Sequence, residues 1–197
     1  MNKIKQLWRV ATHPRELRLT LSGLGMRLGG DDALGGLTAE ERSALAAWTN
    51  DSGVKAVVEI GTLFGLTAKE LSRKTQARIV AVDLFCWNPF GLTADQHERF
   101  TRDILSGSGV ELVRDDARRF LSSLDEHGLS PESTLVFLDG DHRYEAVKAE
   151  LEILRQRGVR HLAGHDFGNP LFGVTKAVRE IVGEPDAVAG MCWYKRV

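Results

Sequence analysis

The run Val57-Val58-Glu59-Ile60-Gly61-Thr62-Leu63-Phe64-Gly65 decides how this chain is read. From Ala56 to Ile60 it is short, apolar and β-branched apart from one acid, the pattern of a parallel strand buried on both faces. Gly61 and Gly65 bracket a tight loop, and Leu66 to Ser72 reads as the start of a helix. A strand, a glycine loop and a helix N-terminus in that order present free backbone N–H groups to a ligand. The spacing is G-x-x-x-G, which is not the G-x-G-x-x-G of dinucleotide enzymes. Glu59 stands two residues before the first glycine, and a carboxylate at a strand end can hold an ammonium or a hydroxyl. Glu59, Gly61, Thr62 and Gly65 are therefore candidate ligand-binding residues. The competing reading is a glycine turn with no ligand.

On either side of this run, strand and helix patterns alternate. Upstream, Thr38-Ala39-Glu40-Glu41 forms a capping box that predicts a helix from about Thr38 to Trp48. Downstream, the pattern predicts a helix over Leu66–Lys74, a strand over Arg78–Asp83, a helix over Ala94–Leu105 and a strand around Val110–Val113. Ala117–Glu126 reads as helix, Ser133–Leu138 as strand, 142–157 as helix closed by Gly158, and Val159–Gly164 as strand. Gly173–Val182 reads as helix, and two short strands are expected near Asp186–Val188 and Met191–Arg196. This alternation implies right-handed βαβ units, a mostly parallel sheet and helices on both faces. Ligands in such sheets bind beyond the carboxyl ends of the strands.

Residues 1–53 are expected to form a helical segment and linker packed on a domain spanning 54–197. Leu17, Leu21, Leu24 and Leu28 recur at helical spacing, with Gly29-Gly30 and Gly35-Gly36 as a flexible link. At 197 residues and a formal net charge of -1, the chain suits one domain with no global basic field for nucleic acid. No apolar run is long enough to span a bilayer. Cys86 and Cys192 lie far apart with no metal spacing, which fits a reducing cytoplasm, and a homo-oligomer is compatible with everything in the sequence.

The chemistry-bearing residues fall just after the strands. Asp83 ends the second strand, where a carboxylate can accept hydrogen bonds from both hydroxyls of a ribose, or serve as a plain loop acid. Asp115-Asp116 follows the third strand, and either acid can cap the next helix. Leu138-Asp139-Gly140-Asp141-His142 follows the fourth strand and Gly164-His165-Asp166 the fifth. These two strands are expected to be neighbours, so Asp139 can meet His165 and Asp166. Two carboxylates and an imidazole suit a divalent cation such as Mg²⁺ or Mn²⁺. The alternative is that Asp141 caps a helix and His165 is an ordinary loop residue. Trp87, Phe90, Phe167 and Phe172 lie in strand-end loops and could line an acceptor pocket or pack on the core.

The E-x-G-x-x-x-G run, with D-G-D-H after the fourth strand and H-D after the fifth, resembles the metal-dependent class I S-adenosylmethionine-dependent O-methyltransferases of catechol, caffeoyl-CoA and macrolide-sugar type. The resemblance covers roughly Val54 to the C-terminus. It implies a Rossmann-like, mostly parallel seven-stranded sheet with an antiparallel C-terminal strand. It also implies S-adenosylmethionine as cofactor, a small-molecule hydroxyl as methyl acceptor, and Asp116 on the adenine amino group. In those enzymes the residues at Asp139 and at the His165-Asp166 pair hold the metal, and the residue at His142 is the general base. His165 departs from the Asp or Glu usual there. The competing functions are an NAD(P)-dependent oxidoreductase on a similar sheet and a non-catalytic binding protein of the same fold.

Overall fold

The computed structural model describes residues 36–50, 53–88 and 91–197. The helix expected over Leu17–Leu28 and most of its glycine link lie outside the described residues, as does Phe90. Helix α1 (Ala39–Thr49) starts at the expected capping box: Glu41 N–H donates to Thr38 Oγ1, and Thr38 N–H donates to Glu41 Oε2. Strand β1 (Ala56–Ile60), helix α2 (Leu66–Lys74), strand β2 (Arg78–Asp83) and helix α3 (Ala94–Leu105) coincide with the sequence reading. They are followed by β3 (Glu111–Arg114), α4 (Ala117–Ser122), β4 (Thr134–Leu138), α5 (Tyr144–Arg157), β5 (His161–Gly164), α6 (Val174–Ile181), β6 (Ala187–Ala189) and β7 (Cys192–Arg196).

The seven strands form one sheet in the order β3-β2-β1-β4-β5-β7-β6. The first five are parallel, and β7 runs antiparallel between β5 and β6. Side chains alternate between two cores, as a period of two requires. Val58, Ile60, Val136, Leu138 and Leu162 pack with α4, α5 and α6 on one face. Val57, Leu135, Phe137 and Ala163 pack with α1 and α2 on the other. Burial on both faces explains why β1 and β4 read as almost unbroken apolar runs. The register sets Glu59 beside Phe137 and Phe137 beside Ala163. Two residues further along their strands, Asp139 and His165 continue that side, toward α1 and α2. Among the described residues, no helix is long and apolar enough to cross a membrane.

Several boundaries shift from the sequence reading, β5 starting at His161 rather than Val159, and two helix boundaries differ by more than one residue. The helix after β3 ends at Ser122 rather than Glu126; the chain then tightens into a 3₁₀ turn over Leu124–His127, closed by Gly128 at φ +66°. The helix after β4 begins at Tyr144 rather than at 142, with Arg143 as its N-cap residue. Asp141 Oδ1 accepts the Arg143 N–H at 3.0 Å, and the His142 carbonyl accepts from Gly173 N–H at 3.0 Å. His142 is thus held in the loop before the helix, not in its first turn.

One core residue makes stability depend on pH. Glu150 of α5 is 4% exposed, and burial lifts its carboxyl from an ordinary 4.5 to about 8, with Asp141 and Asp116 adding to the rise and Arg118 opposing it. Folding therefore binds a proton here. The resulting contribution to stability is complete below about pH 4.5 and is lost as pH rises through about 8. Urea unfolding midpoints of the wild type are expected to fall across that window, and Glu150→Gln, which keeps the neutral shape, is expected to flatten the slope. An equal slope in both proteins would assign the effect to another group.

Candidate active site

The chain runs outward from β1 through β2 to β3, then returns to place β4 on the other side of β1. The crevice at this switch point is bounded by the loop after β1 and the loop after β4. They touch through backbone. Gly61 has φ +83°, and a Cβ there would lie 2.4 Å from the Asp139 carbonyl oxygen and from Gly140 Cα. Asp139 N–H continues the ladder by donating to Ile60 O at 2.8 Å. The first glycine is therefore required by packing of the two loops, apart from any demand of a ligand.

The rest of the glycine loop is fixed by side chains. Gly65 has φ +77° and starts α2, giving Gly65 N–H to Thr62 O at 2.7 Å. Leu63 has φ +48°, an unusual conformation for a branched residue. Its carbonyl is gripped by His97 Nε2 and Thr101 Oγ1 of α3, each at 2.8 Å, and its N–H donates to Asp83 Oδ2 at 2.9 Å. A carbonyl only accepts, so His97 carries its proton on Nε2. Burial holds His97 below its ordinary pKa, in keeping with a neutral ring. His97 and Thr101 carried no motif and were invisible in the sequence. Their signal is long-range, from α3 onto the loop before α2.

Asp83 also accepts the Phe85 N–H on Oδ1 at 2.6 Å. Each oxygen of Asp83 thus takes one backbone donor and retains acceptor capacity. Glu59 is 1% exposed and accepts from the Thr62 hydroxyl. Burial raises Glu59 to about 7, the Thr62 hydroxyl opposing that rise and Asp83 reinforcing it. Asp116 caps α4 by accepting Arg119 N–H at 3.1 Å, while Asp115 pairs with the Arg119 side chain. Asp115 N–H also joins Asp83 O at 3.2 Å, which sets the third-strand loop beside the second.

On the other side of the crevice, Asp139, His165 and Asp166 converge. Each offers one ligand atom, and these atoms all lie within 4.8 Å of one another. His165 Nδ1 lies 3.6 Å from Asp139 Oδ1 and 3.5 Å from Asp166 Oδ2. Asp166 has φ +60°, and its Oδ1 accepts Asn169 Nδ2–H at 2.8 Å. His142 joins the group, with Nδ1 3.2 Å from Asp166 Oδ2 and its ring 4.9 Å from the Phe172 ring. Burial depresses His142, with Asp166 opposing and His165 assisting, so its imidazole is neutral near pH 7. Asp139 is raised well above the carboxylate range by burial and by its acidic neighbours, against the pull of His165. His165 is lowered by burial but lifted further by Asp166, Asp139 and Glu41, to about 9. In this state an imidazolium sits among the three acids.

Two oxygens and one nitrogen at this spacing fit a divalent cation. A second group, Glu41, His165 and Cys192, is equally close but does not fit. Burial pushes the Cys192 thiol far up, away from the thiolate that a metal takes as ligand. Glu41 is a further site residue that sequence reading missed, because it appeared there only as half of a capping box. Of the aromatic candidates, Trp87 is 68% exposed, Phe172 borders His142, and Phe167 packs against the core.

A family model described as a methyltransferase domain matches residues 58–163, more than half of the 197 residues. The chain belongs to this methyltransferase-domain family. No curated protein matches it by sequence. Among solved structures, an O-methyltransferase from Bacillus cereus in complex with SAH aligns at TM-score 0.57 and 14% identity, over 86% of this chain and 77% of that one. TomG, an O-methyltransferase of tomaymycin synthesis from Streptomyces achromogenes in complex with SAM, aligns at 0.56 and 17%, over 83% and 74%. Precorrin 8w decarboxylase from Methanobacterium thermoautotrophicum also aligns at 0.56 and 17%, over 84% and 95%. At these identities the likeness is one of fold, and the Rossmann-like seven-stranded architecture expected from the sequence is the one found. The chemistry of this methyltransferase-domain protein has to be argued from its own site.

The contact between Gly61 and the β4 loop gives a direct test. Gly61→Ala is expected to cost about 2–5 kcal/mol, from a positive φ on a residue with a Cβ and from overlap with the β4 backbone. Chemical denaturation measures it. A loss below about 1 kcal/mol would mean that the two loops separate readily.

Proposed function

We propose that the protein is an S-adenosylmethionine-dependent O-methyltransferase that acts on a small-molecule hydroxyl with the help of a divalent cation. The observation that carries this reading is the convergence of Asp139, His165, Asp166 and His142 across a crevice from the glycine loop. Membership of the methyltransferase-domain family supports it. When bound, S-adenosylmethionine supplies an electrophilic methyl group, and a cation held by Asp139, His165 and Asp166 supplies Lewis acidity that lowers the acceptor's pKa.

On the cofactor side, the chain's task is orientation, because an in-line displacement gains most from fixed geometry. Gly61, Thr62 and Gly65 form the loop, Glu59 and Asp83 offer carboxylate oxygens to hydroxyl or ammonium groups, and Asp116 stands ready for the adenine amino group. On the acceptor side, His142 turns Nδ1 toward Asp166 Oδ2 at 3.2 Å, which leaves Nε2 as the proton acceptor. His142 then receives the hydroxyl proton as the oxygen gains the methyl group.

Calorimetry is expected to show S-adenosylhomocysteine binding and no NAD binding; the reverse result would favour an oxidoreductase. In a hydroxyl-acceptor panel, His142→Ala is expected to lower kcat by ~10²–10⁴ while leaving S-adenosylhomocysteine affinity intact. Asp139→Ala should weaken cation binding with the same sparing of the cofactor, and excess chelator should abolish turnover until Mg²⁺ or Mn²⁺ is returned. Full turnover in chelator would remove the cation from the mechanism. No turnover at all, with cofactor binding retained, would point to a binding protein.

A further inference from the structure

Glu41 lies on α1, before the segment matched by the family model, yet it is 2% exposed and reaches the far side of the His165 ring. Its Oε1 stands 3.3 Å from His165 Nε2 and accepts Met191 N–H at 2.8 Å. Its Oε2 accepts Thr38 N–H at 2.7 Å. The carboxylate is thus clamped from the start of α1 and from the turn before β7. Gly190 makes room for it: a Cβ there would lie 2.6 Å from Glu41 Oε1. With each oxygen accepting a backbone N–H, the Glu41 carboxyl is fixed in place and faces His165 as an acceptor.

We propose that Glu41 is a positioning residue that takes the His165 Nε2–H and so presents Nδ1 as a ligand between Asp139 and Asp166, committing the site to a transition-metal dication such as Mn²⁺ in preference to Mg²⁺. The inference rests on the cation reading above and goes beyond it in naming the metal class and the residue that selects it. The argument is one of competition for a single proton. Asp139 and Asp166 both face Nδ1, at 3.6 and 3.5 Å. With no acceptor behind the ring, the proton of a neutral His165 would settle on Nδ1 between those two acids, and the nitrogen could not ligate. An acceptor held behind Nε2 by two backbone donors reverses that choice. Carboxylate partners of this kind fix the tautomer and raise the basicity of metal-bound histidines. Magnesium prefers oxygen donors and retains water, whereas first-row transition dications accept a mixed oxygen and imidazole set, Mn²⁺ the least strongly of them. A cation held by Asp139, His165 and Asp166 would stand at Nδ1 in place of a proton, with Nε2–H directed to Glu41.

Calorimetric titration of the full chain with Mn²⁺ and with Mg²⁺, together with pulsed EPR of the Mn²⁺-loaded protein, tests this. The wild type is expected to bind Mn²⁺ at least ~10-fold more tightly than Mg²⁺ and to show coupling to one directly bound imidazole nitrogen. Glu41→Gln should weaken Mn²⁺ binding by ~10–100-fold. Thr38→Ala, which disturbs the same helix cap without touching His165, should not. His165→Asp should abolish the nitrogen coupling and narrow the gap between the two metals. Equal binding in Glu41→Gln and Thr38→Ala, or absence of nitrogen coupling, would overturn the role of Glu41 while leaving the cation standing. No binding of either metal, in a preparation that still binds S-adenosylhomocysteine, would overturn this inference and the cation reading together. Should Glu41→Gln fail to fold, the wild-type metal preference and the nitrogen coupling, compared with His165→Asp, decide the matter.

Discussion

The close approach of Gly61 to the Asp139–Gly140 backbone is the constraint on which the rest of the site depends. A hypothetical Cβ 2.4 Å from two backbone atoms leaves no slack between the loops. This contact closes the switch point and fixes the distance between Glu59 on one side and Asp139 on the other. It also forces Gly61 to φ +83°, which starts the chain on a path that Leu63 continues at φ +48°. A path of that kind costs energy and persists only where surroundings impose it. Here Asp83 holds the Leu63 N–H while His97 and Thr101 hold its carbonyl, so two elements of the fold, β2 and α3, pin one residue. The conformation of the loop is thus set by the fold itself.

The order of these elements follows from the sheet. Because β1 and β4 are buried on both faces, their side chains carry no solvent-facing alternation, and their register is set by core packing. That register places Glu59, Phe137 and Ala163 in line on one side of the sheet. The chemistry at the sheet edge then falls toward α1 and α2. This is why a residue from α1 can reach His165 at all.

The sequence was most legible where the structure is local. β1, α2, β2 and α3 have boundaries dictated by apolar period, by glycine and by capping boxes, and they lie where the pattern puts them. The convergence of Asp139 with His165 and Asp166 was legible because strand order in a parallel sheet makes β4 and β5 neighbours. The start of α5 was not, because the Gly173 N–H that captures the His142 carbonyl comes from a loop after β5. The same holds for His97, 34 residues beyond the Leu63 carbonyl it supports, and for Glu41, 124 residues before His165. The capping box explained Glu41 fully at the local level, and a residue with one sufficient role gives no sign of a second.

Charge balance connects these points. Glu41, Asp139 and Asp166 gather beyond the carboxyl ends of β4 and β5, and among the described residues each is ion-paired only with histidine. Elsewhere on the molecule acids pair with Arg or Lys, as Glu70 does with Arg42 and Lys74, or Asp186 with Lys195. Clustered acids without a fixed cation raise one another's pKa and oppose folding. A permanent Arg or Lys would remove that cost but would also fill the site. Histidine compensates the acids with a proton that can leave. Under the proposed function, a divalent cation would take the place of that proton, with the repulsion among the acids favouring the exchange.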